Sequence, residues 1–180
     1  MYIFIRFMTS HNGMRPQDIA VLLKIIQKKD RPWQGKDLAA ELYISPGEIS
    51  NSLERSALAG LITRERKKVH ILTFLEFIEY GLHVVFPVAP GGITNGLPTA
   101  HSHPFMAANF SSNDLYVWPD ATSSDRGQTI NPLYKGATKA AKTDEEFYKL
   151  LALLDVIRVG KVREWKIAIE ELKKIMTHAK

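Results

Sequence analysis

The 180-residue sequence predicts a mainly α protein with a small β component, and three observations carry that expectation. Apolar residues recur at helical spacing along most of the chain. After Gly60, a short β-prone run alternates apolar and polar residues, reaches a knot of positive charge and returns. The chain ends in two stretches, 147–157 and 162–176, striped with Leu, Ile and Trp between charges.

The opening MYIFIRFM is apolar but only eight residues long and interrupted by Arg6. A membrane span needs about 20 apolar residues, and a signal peptide needs a small-residue cleavage site. It reads as non-targeting: an edge strand, a packed arm, or an extension ahead of Met14. From Arg15 to Lys28, residues Ile19, Val21, Leu22, Leu23, Ile25 and Ile26 predict a first helix, ended by Asp30, Arg31 and Pro32. GKDLAAEL, with Leu38, Ala39 and Leu42 on one face, predicts a short second one. Ser45, Pro46, Gly47 and Glu48 form a capping-box pattern, with proline at the first helical position where its missing N–H costs nothing. A third helix must start there. Ile49, Leu53 and Ala57 turn inward, which leaves Ser50, Asn51, Glu54 and Arg55 outward, and Gly60 closes the helix.

Leu61 to Arg64 and Val69 to Leu72 then predict a β-hairpin whose tip, Glu65 to Lys68, is cationic. Three helices, the last two joined by a tight turn, followed by a hairpin are the parts of a winged helix-turn-helix. Thr73 predicts the cap of a fourth helix, Phe74 to about Val85. Pro87 to Pro104 is rich in Gly, Pro, Thr and His and predicts no regular element; loops of this length are functional or are linkers. DLYVWPD reads as a strand, ATSSDRGQ as a polar turn, INPLYKG as irregular. Thr143 to Glu146 repeat the capping signature ahead of a helix that Gly160 breaks, and a last helix runs from about Lys161 to Met176. The expected organisation is a winged helix-turn-helix domain over 14–86, a loop or linker over 87–113 and a C-terminal α-rich dimerisation or regulatory region over 114–180.

Charge is uneven. Met14 to Thr73 holds eleven Lys/Arg against seven Asp/Glu, and Phe74 to Lys180 holds twelve of each. A localised basic surface is the footprint of a polyanion binder. The absence of cysteine excludes disulfides and thiolate metal sites, and fits a cytoplasmic protein. His101 and His103 sit two apart, a poor chelate on an extended loop, with no third ligand at a recognisable spacing. No nucleophile, metal or phosphate-loop signature appears, so neither enzyme activity nor a metal or cofactor is expected.

The second helix of a helix-turn-helix enters the major groove by its N-terminal residues, so it must start abruptly and show small or polar groups early. Ser45, Gly47, Ser50 and Asn51 meet that demand, and Asn can read adenine bidentately. Arg55 reaches a base or a phosphate. Arg64, Arg66, Lys67 and Lys68 on the wing lie along the backbone or enter the minor groove, and Lys36 at the start of the second helix adds a further cation. The stretch "DLAAELYISPGEISNSLERSALAGLITRERKKVHIL", residues 37–72, resembles the winged helix-turn-helix of MarR-like bacterial transcriptional regulators in its "LA" helix, Ser-initiated third helix, "GLI.R" junction and basic wing. The resemblance implies a homodimer on palindromic double-stranded DNA, usually a repressor, with an unidentified small-molecule or protein effector. The two C-terminal stripes suit a dimer interface or pack onto the protein's own strand and fourth helix. The alternative function is a protein-interaction module, a winged-helix scaffold that holds a partner such as a toxin-like enzyme.

Overall fold

Two helices are buried on every side along their middle turns and therefore lie at the centre of the protein. They are α1 (Pro16–Lys28), in which every residue from Ile19 to Ile26 is buried, and α8 (Glu145–Val159), in which Leu150 to Ile157 are. In the computed structural model, which describes residues 13–108, 114–159 and 162–177, these two pack against each other. The fold is mainly helical with a small three-stranded sheet. Among the described residues no helix is long and apolar enough to cross a membrane. The MYIFIRFM segment, Gly160 and Lys161 lie outside the described residues.

One polar side chain interrupts the buried apolar run from Ile19 to Ile26 of α1. Lys24 is buried, and its Nζ reaches Asp144 Oδ2 at 2.5 Å and Glu41 at 3.2 Å. Asp144 also accepts from the Phe147 backbone N–H at 2.9 Å. The cap of α8 is thus Asp144 rather than the expected Thr143, because only Asp144 both satisfies the open helix end and neutralises a buried ammonium.

Helices α2 (Gly35–Leu42) and α3 (Pro46–Leu58) pack on α1 and on each other, with Tyr43 turning left-handed (φ 55°) to end α2. Gly60 has φ 72° and closes α3, as expected. The expected hairpin shrinks to one antiparallel bridge, Ile62 to Val69. Ile71 and Leu72, expected in its return strand, instead begin α4 (Ile71–Glu76), with His70 rather than Thr73 at its head. A π turn, Phe77–Gly81, leads into α5 (Leu82–Val85), so the fourth helical run covers 71–85.

The 87–104 region is not without regular structure. It holds β1 (Ile93–Pro98) and a 3₁₀ turn (Ala100–Ser102) ahead of α6 (Pro104–Ala107). β1 pairs antiparallel with β2 (Tyr116–Pro119), Leu97 opposite Trp118, and with β3 (Arg126–Thr129), Thr94 opposite Gly127; β2 and β3 close the sheet in parallel. The last three residues of the expected polar turn ATSSDRGQ, Arg126 to Gln128, therefore belong to β3. The strand expected at DLYVWPD is β2. A helix that the sequence reading omits, α7 (Ala137–Thr143), precedes α8.

Trp118 docks the sheet on α8: its Nε1–H donates to Asp155 at 2.6 Å, and Asp155 also accepts from Thr99 Oγ1 at 2.8 Å and Arg158 at 2.7 Å. Helix α9 (Val162–Thr177) lays Ala168, Ile169, Leu172 and Met176 over α8 and α4. One apolar cluster runs from Ile19 to Met176 through the helices and β2, with Leu97 of β1 packed against it. The boundaries expected near 87 and 113 divide the sequence without dividing the core, and the α8 stripe is buried within its own chain.

Candidate nucleic-acid interface

Ser45 starts α3 as the sequence requires: its Oγ accepts from the Glu48 backbone N–H at 3.3 Å, and Pro46 follows at the first helical position. Ile49, Ser52, Leu53 and Ser56 turn toward α1 and α2. Gly47, Ser50, Asn51 and Glu54 stay exposed on the other side. A Cβ added at Gly47 would meet nothing within 4 Å, so the head of the helix is open to a close-approaching surface. Asn51 lies within hydrogen-bonding reach of Glu48, which anchors one edge of its amide while the side chain stays exposed.

Arg55 does not belong with these residues. It is buried, and its guanidinium grips Asp18 of α1 through Nε to Oδ2 at 2.9 Å and Nη2 to Oδ1 at 2.6 Å. The same Nη2 meets Glu48 at 2.6 Å. The Asp18 hydrogen bonds hold the guanidinium proton far more firmly than usual. Arg55 is a strut between α3 and α1, and its expected contact with a base or phosphate is corrected. The physical reason is Asp18: a wholly buried carboxylate needs a cation, and Arg55 on the flank of α3 supplies it.

The wing is a short loop held by its own backbone. Thr63 N–H donates to Lys68 O at 2.9 Å, Arg66 N–H to Thr63 O at 2.8 Å and His70 N–H to Leu61 O at 2.9 Å, with Arg66 left-handed at φ 58°. Its cations divide by neighbour. Arg66 reaches Glu54 of α3 at 3.3 Å, which ties the tip to the third helix. Lys67 Nζ lies 4.4 Å from the Trp33 ring centroid. Arg64 and Lys68 are exposed, as is Lys36 on α2. A groove of about 570 Å³ opens between the end of α1 and the wing, walled by Ile25, Trp33, Val69 and Ile71 and rimmed by Lys29, Arg31, Lys67 and Lys68. Lys29 and Arg31 extend the basic surface beyond the residues the sequence reading named, and only the charge excess before Thr73 hinted at them.

The histidines of HSHP are built into the core. His101 Nε2–H donates to Asp114 O at 2.6 Å, and its ring packs on Tyr116. His103 Nδ1 accepts from the Phe105 N–H at 3.2 Å, and burial, with help from Lys149, pushes its imidazole down to about 4. Among the described residues no group of three or more His, Asp or Glu is placed to hold a metal ion. No protein-family model matches the chain, and no curated protein or solved structure matches it.

Proposed function

We propose that the chain is a sequence-specific, winged-helix DNA-binding regulator, MarR-like in its reading head and acting as a cytoplasmic repressor. The observation that carries the reading is the uncovered head of α3. Its capped start at Ser45, the open space over Gly47 and the exposed Ser50 and Asn51 fit insertion into a major groove. The cations at Arg64, Arg66, Lys67 and Lys68, with Lys36 on α2 and Lys29 and Arg31 beside the wing, supply the phosphate grip such a helix needs. Repression then requires no chemistry, only occupancy of an operator.

Selection of bound duplexes from a random pool, then gel shifts at two salt concentrations, tests the reading. The expected product is a short inverted repeat, bound with an affinity that falls by roughly 0.9 log units per log unit of salt for each phosphate contact. Asn51→Ala should relax the sequence preference. Lys67→Ala with Lys68→Ala should weaken all sequences together and flatten the salt slope by about two. Equal binding of every duplex would remove specificity. No retention of DNA at all would favour the protein-docking scaffold instead.

A further inference from the structure

Large apolar side chains left exposed gather on the fourth helical run. Leu72 is 73 % exposed, Tyr80 68 %, Val84 67 % and Val85 51 %. The inner side of the same run, Phe74, Leu75, Ile78 and Leu82, is buried, so the run is firmly seated, and its outward face stays exposed among the described residues. Leu72, Glu76, Tyr80 and Val84 are spaced by four. In a regular α-helix such a row drifts by about 40° at each step. Here the π turn, closed by Leu82 N–H to Phe77 O, reaches one residue further, turns less per residue and offsets part of that drift. All four side chains therefore stay on the exposed side. An exposed row of this kind, apolar at three of its four positions, marks an interaction site more often than chance exposure does.

We propose that this face is the homodimer interface, taken by a second copy of the chain packed antiparallel across a two-fold axis near Ile78. The residues select that occupant by self-complementarity. Ile78 is the midpoint of the run 71–85. Antiparallel packing about it sets Leu72 against Val84 of the second copy, twice over, and sets the Tyr80 hydroxyl against the Glu76 carboxylate, again twice. The polar groups of the face choose the direction. The exposed Glu76 lies in the first half of the run and the exposed His83 in the second. A parallel pair would place Glu76 on Glu76, whereas the antiparallel pair brings the His83 end of one copy to the Glu76 end of the other. The α8 stripe, buried in its own chain, cannot serve. The inference rests on the DNA-reading proposal only for its consequence: two heads related by a two-fold read an inverted repeat that one head reads by halves.

Sedimentation of the full chain tests the interface without DNA. The wild-type protein is expected to be dimeric at micromolar concentration. Tyr80→Glu, or Val84→Glu as an independent second variant, should raise the dimer Kd by about 100-fold or more with an unchanged circular dichroism spectrum. His83→Glu should weaken the dimer about tenfold, His83→Lys should tighten it by a similar factor, and Glu76→Lys combined with His83→Glu should return it to near wild type. A wild-type monomer at about 100 µM, a dimer indifferent to both Tyr80→Glu and Val84→Glu, or failure of the charge reversal to rescue would overturn the assignment. A monomer that still selects a single half-site would sink the interface and leave the DNA reading intact. A rescued dimer that ignores DNA would do the reverse.

Discussion

Asp18 is wholly buried and holds three donors: the Arg15 backbone N–H at 2.8 Å and both arms of the Arg55 guanidinium. It starts α1 and fixes α3 against it with the same carboxylate. Removing the charge while keeping the shape, as in Asp18→Asn, strands a buried guanidinium with Glu48 as its remaining partner. Breaking a buried pair from one side costs about 3 kcal/mol. Urea unfolding of Asp18→Asn should show a loss of that size, whereas Asp18→Leu combined with Arg55→Met should recover most of it, since an apolar pair leaves no buried charge unpaired and the part-exposed Glu48 keeps Gln17. A loss below about 1 kcal/mol for Asp18→Asn would mean that the pair is as weak as an exposed one. The same pair shows what sequence alone reveals of a site. Ser45, Gly47, Ser50 and Asn51 were legible because capping and helical phase are local properties. The place of Arg55 was not, because its partner lies 37 residues upstream and reads, in the sequence, as an ordinary acidic residue in a first helical turn.

At the scale of elements, the sheet holds the parts that the sequence kept hidden. α1, α2 and α3 are written in apolar periodicity and caps, and all three appear where expected. β1 and β3 carry no such signal. Their residues, ITNGLP and RGQT, lack the β-branched and aromatic enrichment that marks a strand, and they form because the backbones must close on one another. The glycines that read as turn residues are there for contact. A Cβ on Gly96 would stand 2.0 Å from Trp118 O, and one on Gly127 would stand 2.3 Å from Leu115 O. Neither obstacle is a flexible side chain, so Gly96→Ala must push β2 away and pull Trp118 off Asp155. The expected loss is about 3 kcal/mol or more, from backbone displacement and an unmet buried carboxylate together. Near-ultraviolet circular dichroism, with its tryptophan bands, should change along with the urea midpoint. A Gly96→Ala protein with wild-type stability would show that the strands do not approach this closely. Helix α7 is hidden in the sequence for a related reason: ATKAAKT is helix-prone but short, and it holds because Ala137, Ala140 and Ala141 are buried against its neighbours.

The response of the whole molecule to acid follows from charges spread across it. Lys142 and the Thr122 N–H pull the Asp120 carboxyl down to about 2. Burial alone would raise Glu41, Glu48 and Asp144, but hydrogen bonds from Lys28 and Lys24, from Arg55 and Gln17, and from Lys24 and the Phe147 N–H outweigh it, and all three fall below the usual range. A carboxyl depressed in the folded state takes up its proton more readily in the unfolded chain. Its contribution is complete above the unfolded pKa of about 4 and is lost as pH falls through the folded value. These four groups therefore act in the acid range only. His103 acts earlier. Held neutral at the edge of the Tyr148 ring, with a folded pKa of about 4, it lets the unfolded chain bind a proton first. Its contribution is complete above about pH 6.5 and drains away as pH falls toward 4. Urea stability of the wild-type protein should thus fall by on the order of 2 kcal/mol between pH 7 and 4.5, and more steeply below. His103→Gln keeps an acceptor for the Phe105 N–H but cannot titrate, so it should flatten the upper part of that curve and leave the steep lower part intact. An unaltered slope between pH 7 and 5 in His103→Gln would mean that the imidazole is not held neutral by the fold, and that the loss in this range comes from elsewhere.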